Sequence, residues 1–408
     1  MTFSGKIVKN RRVAIVAAGV VSPLGMGLPE TLESLRVGRD CITPVSRFPV
    51  DRCRCKTAGQ IEDQALRTAS GIEGRRGKRL HRASHMVVAA LREAFAQDSK
   101  FRPQTTVFGT TSGGMSFGEQ YYRSLQANAS LRRTPGLIAN YPPQKPVIDG
   151  LETFGISGPC QVIANACASG TNAIGHAFDC IRSGGYDRVL TGGYDALSEL
   201  VFVGFDSLQA STPDKCRPFD RERSGMVLGE GAAVIALEEM NSALDRGANI
   251  LGEVTGYGIS TDNHHLTQPD PSGIGPKRAM QQALDRAGIE ADGVDYINAH
   301  GTATPFNDAA EGVAMAALFG DRVAVSSTKA MMGHSLGAAG AIEAVVCILA
   351  MQHDMLPPNL NFRETDEAIA LDIVANRTRS ASINTTLSNS FGFGGTNASI
   401  VMRKKAHE

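Results

Sequence analysis

The sequence carries no surplus charge of either sign: 41 lysines and arginines balance 41 aspartates and glutamates over 408 residues. A neutral chain has no global field with which to hold nucleic acid, so a charged partner must be met by a local patch. Low-complexity tracts are absent. Runs approaching the ~20 apolar residues that span a bilayer are also missing. Only the start has the outline of a targeting segment, because Lys6, Lys9, Arg11 and Arg12 precede the apolar run Val13–Val21, the order of a secretory leader. That run is short, β-branched and glycine-containing, closes on Ser22-Pro23-Leu24-Gly25, and offers no small-x-small cleavage site. It reads as a buried first strand, and the chain as cytoplasmic with no membrane span. Metal signatures are lacking too. Cys53 and Cys55 form a lone C-x-C with no second pair or nearby histidine, so zinc spacing is not met, and a disulfide framework is not expected in a cytosolic chain.

What is present is ordinary for a soluble enzyme: 42% hydrophobic and 20% charged residues, long enough to bury one large core or two fused ones. The 44 glycines cluster in short motifs, which points to tight turns around a site. Strand and helix patterns alternate throughout, the mark of a layered α/β fold. His85–Phe95 has helical spacing, with Val87, Ala90, Leu91 and Ala94 on one face. Near Ile250 the pattern begins again, since Ile250–Gly258 resembles Val13–Gly25, a strand running into a glycine-containing turn. Two similar halves are expected, 1–250 and 251–408.

The most informative segment runs from Val162 to Thr171. A short apolar strand leads into Cys167, and a helix follows with Ile174, Ala177, Phe178 and Ile181 on one face. Cys167 thus sits where unpaired N–H groups and the positive end of a helix dipole converge, both of which lower a thiol pKa. The small neighbours Ala166, Ala168, Ser169 and Gly170 leave room for a substrate. A small buried residue in a tight turn would give the same segment.

Three further loops carry reactive side chains. Tyr296–Ala299 delivers His300 into a Gly/Thr loop. Val323–Ser326 leads to Lys329 and His334, ahead of a helix with Ile342, Val345, Val346 and Leu349 on one face. Residues 389–397 form a Gly/aromatic loop whose glycines permit close backbone approach and N–H donation to an oxyanion, although a plain capped turn fits as well. Reactive side chains at strand ends are how open α/β sheets build sites. One cysteine and two histidines also suggest a metal, but no other ligand stands at the right spacing.

With these segments in view, the sequence resembles the β-ketoacyl-acyl carrier protein synthases, particularly the elongating type II enzymes of the thiolase-like superfamily. The anchors are NACASGTNAIG (165–175), HGTATPFND (300–308), KAMMGHSLGAAG (329–340) and NSFGFGGTN (389–397), in family order across almost the whole chain. The resemblance implies a five-layer αβαβα fold from two similar halves, a homodimer, and ping-pong chemistry in which Cys167 accepts an acyl group from a phosphopantetheine thioester. A malonyl thioester then loses CO2 and attacks the acyl-cysteine, giving a 3-ketoacyl product, with no cofactor beyond the carrier-bound phosphopantetheine. His300 and His334 are implied to stabilise the enolate. The N–H groups of Cys167 and Phe393 are implied to form the oxyanion hole, with Phe393 a gating aromatic and Phe391 beside it. Thr302 and Thr304 match pantetheine-contacting positions. Lys329, Glu343 and Asp308 match a charged support set behind the histidines, expected to pair with one another. Glu230 reads as a structural residue.

Near relatives differ at single residues. Initiating condensing enzymes carry Asn where this chain has His334, and thiolases place a second catalytic cysteine late in the chain, whereas no Cys follows Cys347. A non-catalytic chain-length partner subunit remains the rival reading, one that would lack acylation. Departures from the family lie at Asn140–Pro146, where three prolines interrupt an expected helix, and at Ser112, where a bulkier acyl-pocket residue is usual. Both point to a reshaped acyl pocket and a specialised lipid, polyene or polyketide substrate. Acyl carrier proteins are acidic, so a basic docking patch is expected, with Arg75, Arg76, Lys78, Arg79 and Arg82, or Arg132 and Arg133, as candidates. A solvated charged face explains either cluster equally.

Overall fold

The computed structural model describes residues 11–127, 135–366 and 369–405. Strand β1 (Val13–Val21) is buried on both sides: Val13, Ile15, Ala18 and Val20 enter one core, and Ala14, Val16, Ala17 and Val21 another. A bulge between Ile15 and Ala17 shifts the alternation. A strand apolar on both faces belongs inside a layered α/β fold.

Helix α1 (Arg82–Gln97), β2 (Thr105–Gly109), β3 (Cys160–Ile163), α2 (Ser169–Arg182), β4 (Arg188–Asp195) and β5 (Gly231–Glu239) follow. A second series comprises β6 (Gly252–Thr261), α3 (Ile274–Ala287), β7 (Tyr296–Asn298), α4 (Pro305–Phe319), β8 (Ala324–Ser326), α5 (Ala339–His353), β9 (Thr385–Gly392) and β10 (Thr396–Arg403). Outward from the centre the sheet runs β1-β5-β4-β2-β3 on one arm and β6-β10-β9-β7-β8 on the other, so the two arms repeat one topology, with a short extra strand, Asp372–Ile373, paired outside β8. They are joined where Val13–Ile15 pairs antiparallel with Gly252–Val254.

The cores define the layers. Helix α1 closes the outer face of the first arm, and α3 and α4 that of the second. Helices α2 and α5 lie between the arms and share one core with strands of both. The result is the thiolase-like αβαβα order. Helix α5 departs from the expected one-sided stripe, because every residue from Ala339 to Met351 is buried. A helix with sheet on two sides has no face to give to water. For the same reason the helical stretch Leu336–His353 has the length and composition of a membrane span, although Glu343 interrupts its apolar run. It is 89% buried inside the protein. The prolines do interrupt a helix: Pro135–Ala139 ends before Lys145–Thr153 begins, with Pro146 in its first turn, and Tyr194 Oη donates to the Pro143 carbonyl at 2.6 Å.

Glycines let the outer helices seat directly on the central strands. A Cβ on Gly19 of β1 would lie 2.0 Å from the Ala90 carbonyl of α1, and one on Gly258 of β6 lies equally close, 2.0 Å, to the Ala279 carbonyl of α3. Gly258→Ala therefore forces strand and helix apart and lowers stability by about 1–3 kcal/mol. Thermal unfolding checks this, with Gly204→Ala as the control, since a Cβ there meets nothing within 4 Å.

Candidate active site

Cys167 follows β3 through a backbone kink. Ala166 is held at φ 57, a left-handed conformation unusual for a residue with a side chain. The Ala166 carbonyl accepts from Ser169 Oγ at 2.6 Å and from Thr111 Oγ1 at 3.1 Å, which fixes the kink before α2 begins. Cys167 is 5% exposed, and its own N–H and that of Phe393 both point at its sulfur. Gly392 permits that approach, since a Cβ there would come within 3.2 Å of the Cys167 nitrogen. Burial pushes the thiol up to about 12, opposed by the Lys329 charge and the two N–H groups. The expected acidified cysteine is thus corrected: helix end and N–H donors are in place, but desolvation outweighs them.

His300 leaves the end of β7 on a strained loop, with Ala303 at φ 65. Two carboxylates of α4 hold it. Glu311 accepts from the His300 and Gly301 N–H groups, both at 2.8 Å, and Asp308 accepts from Ala303 at 3.2 Å and from Phe219 at 2.7 Å. Burial raises Glu311 to about 7. Sequence reasoning missed Glu311, whose partners, the His300 and Gly301 N–H groups, lie on another segment. Asp308 is corrected: it does not pair with Lys329 but supports the loop bearing Thr302 and Thr304, whose hydroxyls lie 2.9 Å apart.

His334 is pinned by its backbone, donating to the Val227 carbonyl at 2.7 Å and accepting from Gly229 at 2.8 Å. The two imidazoles meet edge to face with centroids 5.2 Å apart. His300 Nδ1 and both ring nitrogens of His334 are buried with no protein partner. Burial, then the Lys329 charge, holds both rings well below the ordinary histidine range, so they are neutral. Lys329 is 1% exposed and bonded to Glu343, which burial raises to about 7.

Cys167, His300, His334, Thr302, Thr304, Phe391 and Phe393 line one cavity of about 360 Å³. Phe391 lies 5.8 Å from His300, ring to ring. Ser112 stands outside that wall. Its hydroxyl donates to the buried Asp195 carboxylate at 2.8 Å, which also accepts from Thr111 N and Gly337 N at 2.8 and 2.7 Å. Ser112, expected in the acyl pocket, is thus buried on Asp195 beside the catalytic cavity. Arg82 leaves the basic patch, because it is largely buried on Glu230, 2.7 Å away, and acts as a strut. Glu230 also accepts from Ile61 N and Leu197 N, a structural role as read. Among the described residues, no three His, Cys, Asp or Glu side chains converge as metal ligands.

Residues 10–243 match the family profile "Beta-ketoacyl synthase, N-terminal domain", and residues 251–363 match "Beta-ketoacyl synthase, C-terminal domain". The chain belongs to the β-ketoacyl synthase family. Among relatives of this β-ketoacyl synthase is the 3-oxoacyl-[acyl-carrier-protein] synthase 2 of Synechocystis sp., 35% identical over 97% of this chain and 99% of the relative. The enzyme of the same name from Staphylococcus aureus is 36% identical with the same coverage, 97% and 99%. Among solved structures, the ishigamide ketosynthase/chain length factor superposes with a TM-score of 0.91 at 35% identity, over 98% of this chain and 100% of that one. A β-ketoacyl synthase from Burkholderia phymatum gives 0.88 at 33% identity, over 97% and 100%.

The high thiol pKa sets a titration. Alkylation of Cys167 by iodoacetamide climbs steadily from about pH 6.5 to 9.5, roughly tenfold per unit, because the thiolate fraction grows tenfold per unit below the pKa. Lys329→Met removes the one opposing buried cation and slows the reaction at every pH. A plateau near neutrality is the result that contradicts the buried, protonated thiol.

Proposed function

We propose that this β-ketoacyl synthase catalyses the decarboxylative Claisen condensation of an acyl group on Cys167 with malonyl-acyl carrier protein, in fatty acid synthesis or a specialised lipid, polyene or polyketide route. The observation that carries it is the pair of neutral imidazoles with unpartnered nitrogens in the cavity of Cys167. Cys167 Sγ attacks the acyl thioester carbonyl. The tetrahedral oxyanion is held by the N–H groups of Cys167 and Phe393, each such donor being worth about 3 kcal/mol of barrier. The pantetheine sulfur departs with the proton that the cysteine gives up. Malonyl thioester then enters past Phe393, with Thr302 and Thr304 contacting its pantetheine. Neutral His300 and His334 donate N–H bonds to the thioester oxygen, which carries negative charge as the C–C bond to CO2 breaks. The enolate carbon attacks the acyl-cysteine carbonyl, and expulsion of Cys167 releases the 3-ketoacyl thioester.

Lys329 has no place in proton transfer here, because it is bound to Glu343. The reading needs no metal or redox cofactor, since the substrates arrive on phosphopantetheine. The partner is an acidic acyl carrier protein, met by Arg75, Arg76, Lys78 and Arg79 on the exposed turn after Glu73. Arg132 and Arg133 lie outside the described residues. A cytoplasmic homodimer completes the proposal, supported by β3, the outermost and largely exposed strand of its arm, and by exposed Tyr122 and Leu200.

Incubation with acyl-carrier thioester followed by mass spectrometry adds one acyl group to the wild type and none to Cys167→Ala. His300→Ala and His334→Ala still accept the acyl group but lose condensation by at least about 100-fold, the scale of a lost transition-state donor. A wild type that takes no acyl group identifies a non-catalytic partner subunit instead. Arg75→Glu with Arg79→Glu raises KM for the carrier protein several-fold and leaves iodoacetamide alkylation of Cys167 unchanged. An unchanged KM removes this patch from docking.

A further inference from the structure

Phe393 contributes the second N–H at the Cys167 sulfur, yet its turn is built from residues that hold position poorly. Gly394 and Gly395 follow at φ 85 and 77, and a Cβ on Gly394 would meet nothing within 4 Å. The turn's backbone is tied by Gly394 N to the Leu266 carbonyl at 2.8 Å and by Asp262 N to the Gly395 carbonyl at 2.9 Å. Neither bond fixes the Phe393 ring. What meets that ring is Phe205, stacked on it with centroids 5.4 Å apart and planes 30° off parallel.

Phe205 itself stands on an anchored helix, Glu199–Ser207. Asp206, the next residue, accepts from the Arg54 and Cys55 N–H groups at 2.8 and 2.9 Å. Phe202, one turn back, is 1% exposed and packs edge-on against Phe48 at 5.4 Å. The helix is therefore bolted to the 48–55 segment, and Phe205 projects from it onto the Phe393 ring. A fixed ring beneath a glycine-flanked one is a platform.

We infer that Phe205 is a positioning residue for acyl transfer, whose ring holds Phe393 closed over Cys167 and keeps the Phe393 N–H aimed at the oxyanion. The inference rests on the condensation reading and deepens it. Phe205 touches none of the reacting atoms; it acts only through Phe393. It does two things that ordinarily trade against each other. It closes the path to the sulfur for small reagents, and it makes the sulfur more effective toward the acyl thioester.

The test compares Phe205→Ala, Phe205→Leu and Phe205→Tyr in the full chain, with two rates for Cys167: acylation by octanoyl-carrier thioester and alkylation by iodoacetamide. Phe205→Ala is expected to slow acylation at least tenfold and to speed alkylation at least threefold. Phe205→Leu keeps bulk but no ring and follows Ala, whereas Phe205→Tyr keeps the stack and returns both rates to within twofold of the wild type. Acylation by Phe205→Ala within twofold of the wild type overturns the inference. So does a parallel fall of both rates in all three variants with a lowered Tm, the pattern of general packing damage. If the wild type takes no acyl group, the condensation reading fails, and the alkylation rates alone then judge the stack.

Discussion

Desolvation is the constraint on which the site depends. Cys167, His300 and His334 line one cavity and are themselves buried, and burial holds all of them uncharged. Buried charge is expensive without a partner, so the one cation there, Lys329, comes paired with Glu343. Its field acts in one direction on two kinds of group. It favours a thiolate over a thiol, and it disfavours imidazolium over imidazole. One positive charge behind the site thus eases the nucleophile's deprotonation and keeps the histidines as neutral donors. A carboxylate alone in its place would do the reverse on both counts.

The second requirement is rigidity in loops that are strained. Ala166, Ala303 and Leu336 all hold positive φ, at 57, 65 and 55, and each lies within two residues of Cys167, Thr302 or His334. Conformations of that sort persist only when their surroundings overdetermine them. Hydroxyls of Ser169 and Thr111 hold Ala166, and elsewhere buried carboxylates accept the backbone N–H groups of the loops. Glu311 and Asp308 hold the His300 loop, and Asp195 holds the Thr111–Ser112 loop together with Gly337. Both arms of the sheet deliver their strand ends to the same place, so loops distant in sequence share one cavity.

The parts legible in the sequence were those whose signal is local. A strand, a cysteine among small residues and a following helix place Cys167 without reference to the rest of the chain. His300, His334 and Phe393 stand likewise in self-contained motifs at strand ends. The parts that escaped depend on what lies across the fold. Glu311 and Asp195 bond backbone atoms of other segments, and no spacing rule announces an acceptor for a distant N–H. Periodicity finds a helix stripe but not that α5 is enclosed on every side. A helix end adjacent to a thiol is visible in the sequence, while the desolvation that overrides it is a property of the finished core. Arg82 has the sequence signature of surface because charge usually lies there, and only its long-range partner Glu230 removes it.

Asp195 also ties together two loops that flank the site. The loop of Thr110–Gly113 and the residue following Leu336 share the same carboxylate, with the Thr110 and Ser112 hydroxyls donating at 2.9 and 2.8 Å. A serine at 112 adds a bond to that carboxylate which an apolar side chain does not make. The loop next to the proline-interrupted segment, which packs on Gly113 and Gly114 through Pro143 and Tyr141, is thereby joined to the loop carrying His334. The 110–113 loop and the loop following His334 form one hydrogen-bonded unit around Asp195.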